Sequence, residues 1–114
     1  MRPALWTKLF YFSASFSRGS EVHAHNFTLA ITLEFKDSFN EALIEKKIQE
    51  DLIQKLHSRD LTLDVDFLKK TEITDHNLLK AFSKIISAGI KPAKLHTVWL
   101  ERDSRTRLTL PLRG

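Results

Sequence analysis

Three features of this sequence have the residue types and spacing to do chemistry. The first is the pair His23 and His25 in the stretch VHAHNF, Val22 to Phe27. Alternate residues of a strand project to the same side, so a His-x-His pair sets two imidazoles next to each other. That is a metal-ligand spacing, and zinc takes three or four such donors. The same spacing also suits two partly buried neutral histidines bonded to the backbone or to each other. The second feature is Glu101, at the end of a strand-like run from Lys94. A carboxylate there is either buried with satisfied partners or exposed and weakly paired with Arg102 or Arg105. The third is His57 beside Ser58. Neighbours at a helix end point in different directions, so this pair is not a nucleophile and its base. A histidine near a helix C-terminus gains from the dipole when charged, and it is the side chain best suited to proton transfer near neutral pH. His76 reads as surface or pocket rim, and His96, alternating with Val98 and Leu100, reads as structural.

These residues need elements to position them. Leu5 to Phe12 is rich in aromatic residues and predicts a strand, followed by a polar connection from Ser13 to Ser20 with Arg18-Gly19-Ser20 as a turn. His23 to Phe35 alternates over Phe27, Leu29, Ile31, Leu33 and Phe35, which puts both histidines on the apolar face of a second strand. Asn40 to Leu56 predicts an amphipathic helix carried by Leu43, Ile44, Ile48, Leu52 and Leu56. Asp60 to Lys70 is irregular or extended. Thr74 is an N-cap, Asp75 suits the first turn, and the helix should stop at Gly89 as a left-handed C′ residue. Lys94 to Glu101, with Leu95, Trp99 and Glu101 on one face, and Thr106 to Leu110 predict two more strands joined by Asp103-Ser104-Arg105. The order is ββααββ: an α+β fold with a four-stranded antiparallel sheet and both helices on one face. Such a sheet has two open edges, which closure into a ring of subunits would remove.

The bulk numbers narrow the classes. The 114 residues suit a single domain, 1–114, with 42% hydrophobic residues to form its core. There is no cysteine, so disulfides, thiolate metal sites and thiol nucleophiles are excluded together. The net charge of +4 is spread along the chain, which suits an anionic ligand better than a nucleic acid. Arg2 and the apolar run after it could open a leader, but Lys8 interrupts the run, and no stretch is long enough to span a membrane. The expectation is a cytoplasmic protein with no membrane or nucleic-acid partner.

The combination FSAS at 12–15, HAHNF at 23–27, Leu56-His57-Ser58, Thr74-Asp75-His76-Asn77 and a strand ending in Glu101 resembles the 6-pyruvoyl-tetrahydropterin synthase family, which includes the 6-carboxy-tetrahydropterin synthases. The resemblance runs from about Trp6 to Leu110. It implies the T-fold, in which three ββααββ subunits close a β-barrel and two barrels stack into a hexamer with sites at subunit interfaces. It implies a pteridine-pathway lyase with zinc as cofactor and a pterin as ligand. By that resemblance His23 and His25 match two of the three zinc ligands, and Phe16 stands at the third. Glu101 matches the carboxylate that anchors the pterin ring, and Thr74 falls in a substrate-binding motif. The family's cysteine base has no counterpart in Arg18 to Val22, and its Asp-His dyad is replaced by His57 and Ser58. His57, which faces the family's site, is the general acid/base candidate. The expectation is a divergent member with a pterin-type pocket and a zinc site short of one ligand. The alternatives are a non-enzymatic pterin or purine binder, or a purely structural oligomer.

Overall fold

The computed structural model describes residues 3–36 and 40–111. Arg2, weighed above as part of a leader, lies outside the described residues. The first two strands, β1 (Ala4–Arg18) and β2 (Glu21–Phe35), form one long antiparallel hairpin that pairs Ala4 with Phe35 and Arg18 with Glu21. Gly19 closes it with φ +60, a left-handed conformation open to glycine at no steric cost. β1 therefore runs past Phe12, where the sequence suggested a connection. The alternation never stops: Phe10, Phe12, Ala14 and Phe16 are all buried, and Ser13, Ser15 and Ser17 occupy the other face. Small polar residues there look like a loop by composition but fit one side of a strand.

The helical stretch after Asn40 comprises α1 (Glu41–Ile48), a π-helical turn (Gln49–Ile53) and α2 (Gln54–Leu56). Asn40 caps it, accepting from the Leu43 amide at 3.0 Å. The wider turn shifts the phase of the helix. Ile53 is buried beside Leu52, while Leu43, expected on the apolar face, is exposed. The short strand β3 (Arg59–Asp60) then runs parallel to β1 at Ala14 and Ser15, so the sheet has five strands rather than four. A 3-10 turn (Asp66–Leu68) leads to α3 (Asp75–Gly89), followed by β4 (Lys94–Arg102) and β5 (Thr106–Pro111). The sheet order is β3-β1-β2-β4-β5.

The helices cover one face of this sheet. Phe12 stacks on Phe27 at 4.9 Å and meets the edge of Phe82 from α3 at 6.1 Å. Leu29, Ile31, Leu33, Val98 and Leu100 pack with them against Leu52, Leu56, Leu79 and Ile86. A bulge in the β2–β4 pairing puts Leu95 opposite Leu33 and Thr97 opposite Thr32, with His96 between. Leu95 thus packs against the core, away from Trp99 and Glu101, whose face it was expected to share. Gly89 is also not a left-handed stop. It ends α3 against α1, where a Cβ would lie 2.8 Å from Lys47 Cε. The opposite face of the sheet carries Leu5, Leu9 and Tyr11, all exposed, beside Ala30 and Trp99. Among the described residues, β5 and residues 4–12 of β1 form open edges. No helix among them is long and apolar enough to cross a membrane.

Candidate ligand-binding site

β4 pairs with β2 only as far as Arg102 opposite Phe27, so residues 13–26 of the hairpin extend beyond the β4–β5 pair. Register decides what meets there. Phe16 lies opposite His23 and Ala14 opposite His25. The three rings form a stack on the helix-covered face: Phe16 is 5.6 Å from His23 and 5.5 Å from His25, and the two imidazoles are parallel at 6.3 Å. His23 Nε2 is 3.4 Å from Glu21 Oε2. His25 Nδ1 is 2.5 Å from Asp103 Oδ2.

Asp103 is the residue that sequence reasoning missed, having been placed only in a hairpin loop. It and Ser104 both have positive φ, 54 and 59, at the centre of a turn that the Arg105 amide closes on the Arg102 carbonyl at 3.1 Å. Asp is one of the few residues that accepts this conformation, and that preference was the available signal. The turn brings the carboxylate onto β2, where Oδ1 accepts from the Asn26 amide at 2.8 Å while the Asp103 amide donates to the Asn26 carbonyl at 2.7 Å. The Asn26 amide first, and His25 second, hold the Asp103 carboxyl below the usual carboxylate range. A carboxylate that accepts from Nδ1 fixes the tautomer of His25 with its lone pair on Nε2.

A groove of about 550 Å³ lies at this end of the hairpin, bounded by Ser13, Asn26, Ser58, Asp60, Asp64 and Asp103 among others. Ser13 Oγ donates to Asn26 Oδ1 at 2.6 Å across its floor. Asp60, Asp64 and Asp103 make its rim acidic, and Arg59 contributes a guanidinium to the lining. His57 sits at the β1 edge beside it, where Nδ1 accepts from the Ser13 amide at 3.1 Å. That bond leaves the proton of the neutral ring on Nε2, and it helps close the β1 edge together with Ser58, whose amide donates to the Ser13 carbonyl at 2.6 Å.

Glu101 faces the other way from the histidines. It lies opposite Thr28, on the uncovered face of the sheet, whereas His23 and His25 share the face of Phe27. Its Oε2 accepts two bonds from the cross-strand Arg107, at 3.1 Å from Nε and 2.8 Å from the terminal nitrogen. The Arg107 guanidinium lies 4.0 Å from the centre of the Trp99 ring. Thr74 caps α3, its hydroxyl accepting from the Asn77 amide at 3.1 Å. Asp75 beside it pairs with Arg102 at 3.3 Å, tying the start of α3 to the end of β4. His76 is exposed, and His96 bonds Thr97 Oγ1 at 2.6 Å.

One chain thus brings His23, His25 and Phe16 together on one face, His57 to the groove edge, and Glu101 to the opposite face. Among the described residues no group of three or more histidine, aspartate or glutamate side chains converges as metal donors would. Two imidazoles, each facing a carboxylate and both stacked on a phenyl ring, fall short of the donors zinc takes.

No protein-family model matches the sequence, and no curated protein matches it. Among solved structures, the chain is similar to 6-pyruvoyl tetrahydropterin synthase from Caenorhabditis elegans, with a TM-score of 0.86 at 19% identity over 99% of this chain and 98% of that one. It is also similar to an uncharacterized protein from Wolinella succinogenes, with a TM-score of 0.69 at 10% identity over 99% of this chain and 100% of that one. At such identities the likeness speaks for backbone architecture, and over its whole length this chain has the T-fold of the 6-pyruvoyl tetrahydropterin synthase type.

Proposed function

We propose that this chain is a divergent 6-pyruvoyl/6-carboxy-tetrahydropterin synthase-like protein that binds a pterin-class heterocycle at a subunit interface without the family's zinc- and thiol-dependent elimination. The observation that carries the reading is the place of Glu101. It faces the same side of the sheet as Asn26, and Thr28, its partner on β2, is only two residues from Asn26. Two strand residues span about 6.8 Å, a distance comparable to a bicyclic ring. A pterin whose amino-pyrimidine edge meets Glu101 would therefore direct its side chain into the groove. The acidic rim disfavours a triphosphate there and suits a neutral polyol chain.

The interface follows from the sheet. The open edges at β1 and β5 are templates for pairing, and a closed ring of subunits satisfies both. The uncovered face, with Tyr11, Leu9 and Trp99, then lines the inside of the ring. Zinc is at most loosely held by His23 and His25.

Calorimetry with neopterin, its triphosphate and adenosine tests the reading. The expected result is binding of neopterin ahead of both others, weakened about tenfold or more in Glu101→Gln, because charge-assisted bonds are worth roughly 1.5–3 kcal/mol each. Equal neopterin affinity in wild type and Glu101→Gln removes Glu101 from the site.

A second reading, turnover of the bound pterin, is favoured by the His25–Asp103 contact, since a carboxylate-oriented imidazole is the usual form of a general base. Loss of any pterin conversion in His25→Gln with binding intact would support it.

A further inference from the structure

We propose that Arg107 is an internal occupant of the pterin anchor, a stand-in for the amino-pyrimidine edge that any ligand must displace; the inference rests on the pterin reading of Glu101. A guanidinium and a 2-amino-pyrimidin-4-one present the same feature, a planar set of parallel N–H groups that forks onto a carboxylate. Arg107 places both its Nε and a terminal nitrogen on Glu101 Oε2, at 3.1 and 2.8 Å. Its guanidinium carbon also lies over an aromatic surface, 4.0 Å from the centre of the Trp99 ring, where a flat heterocycle could stack. Carboxylate and indole thus make a ready site for a flat, amidine-like edge, and the chain fills that site with its own side chain.

Three features make this an exchangeable contact. Glu101 and Arg107 are directly opposite across β4 and β5, so the pair needs no folding beyond the hairpin itself. The Arg107 side chain is 54% exposed while that of Glu101 is 20% exposed, so the cation can swing into solvent and leave the anion in place. The pair lies on the uncovered face, with no helix above it to lock the rotamer. Arg107 therefore sets both affinity and selectivity. A ligand that offers a single donor gains too little to displace a forked guanidinium, whereas one that offers a paired edge and a ring for Trp99 replaces both contacts at once.

The test compares wild type, Arg107→Ala and the double variant Arg107→Ala/Glu101→Gln, with pterin and with isocytosine, which presents the paired edge without the second ring. Binding is followed through the Trp99 indole resonance in solution NMR. Arg107→Ala should bind both probes roughly threefold to tenfold more tightly than wild type, the worth of one partly exposed ion pair with a cation–π contact. The double variant should lose that gain. If wild type binds pterin and Arg107→Ala binds it no better, the role of Arg107 is overturned while the pterin reading stands. If Arg107→Ala gains isocytosine but neither protein takes pterin, Arg107 does occupy an amidine-type anchor and the pterin reading falls. If Arg107→Ala binds neither probe, both are overturned.

Discussion

Asp103 contributes through three contacts made at one turn. Its oxygens accept from the Asn26 amide and His25, and its own amide returns a bond to Asn26. Because its carboxyl titrates below the usual range when folded, the stability it contributes is present above about pH 4, the unfolded value, and is lost as pH falls through the lower folded value. Asp103→Asn should therefore flatten the acid side of the stability-versus-pH curve while leaving its neutral side parallel to wild type. Urea unfolding at intervals from pH 3 to pH 7 measures this, and parallel acid limbs in the two proteins would contradict it. At Phe16 the outcome concerns metal. The phenyl ring lies cross-strand from His23 and within 5.6 Å of both imidazole centres, so Phe16→His sets a third imidazole among the other two. That variant should retain zinc through dialysis against a mild chelator while the unmodified protein retains little. Elemental analysis of both reads the result. Full occupancy in wild type would point to a third donor, with His57 the first to replace.

At the scale of elements, the contact between α1 and α3 offers a sharp test of what a glycine is for. Gly89 does not need a left-handed backbone, and a methyl group there meets Lys47 Cε at 2.8 Å and Cδ at 3.4 Å. Both atoms belong to the flexible end of a side chain. Displacing them disturbs the Lys47–Asp51 pair, at 3.1 Å and nearly half exposed, which is worth less than ~1 kcal/mol. Alanine in place of glycine in a helix gains roughly 0.5–1 kcal/mol. The gain matches or exceeds the loss, so Gly89→Ala should unfold at equal or higher urea concentration than wild type. A clear drop in the midpoint would mean that α1 and α3 cannot give by the few tenths of an ångström required.

At the scale of the whole molecule, the described residues leave two sheet edges and one sheet face without cover. Leu5, Leu9 and Tyr11 are 57%, 40% and 65% exposed on that face, too much apolar surface in one place to be incidental. Pairing of β1 with β5 of a neighbour closes the edges and encloses the face in a single step. The expected species is a trimer-based ring, most readily a hexamer, and light scattering at micromolar concentration checks it. A stable monomer would remove the interface on which the pocket depends.

The ββααββ order was legible in the sequence because alternation in β2 and helical spacing in α3 report directly which side chains face the core. His23 and His25 were correctly placed on one apolar face for the same reason. What the sequence could not reveal depended on phase and partner. A π-helical turn placed Ile53 in the core beside Leu52, and a bulge at His96 put Leu95 on the opposite face from Glu101, because one added residue in a strand inverts the alternation across it. The contacts of Asp103 with His25 and of Arg107 with Glu101 were decided by the turns and the register that bring distant or cross-strand residues together. Local pattern sets which side a residue occupies where an element runs without a bulge or a change of helical phase. Only the packed sheet decides what it meets there.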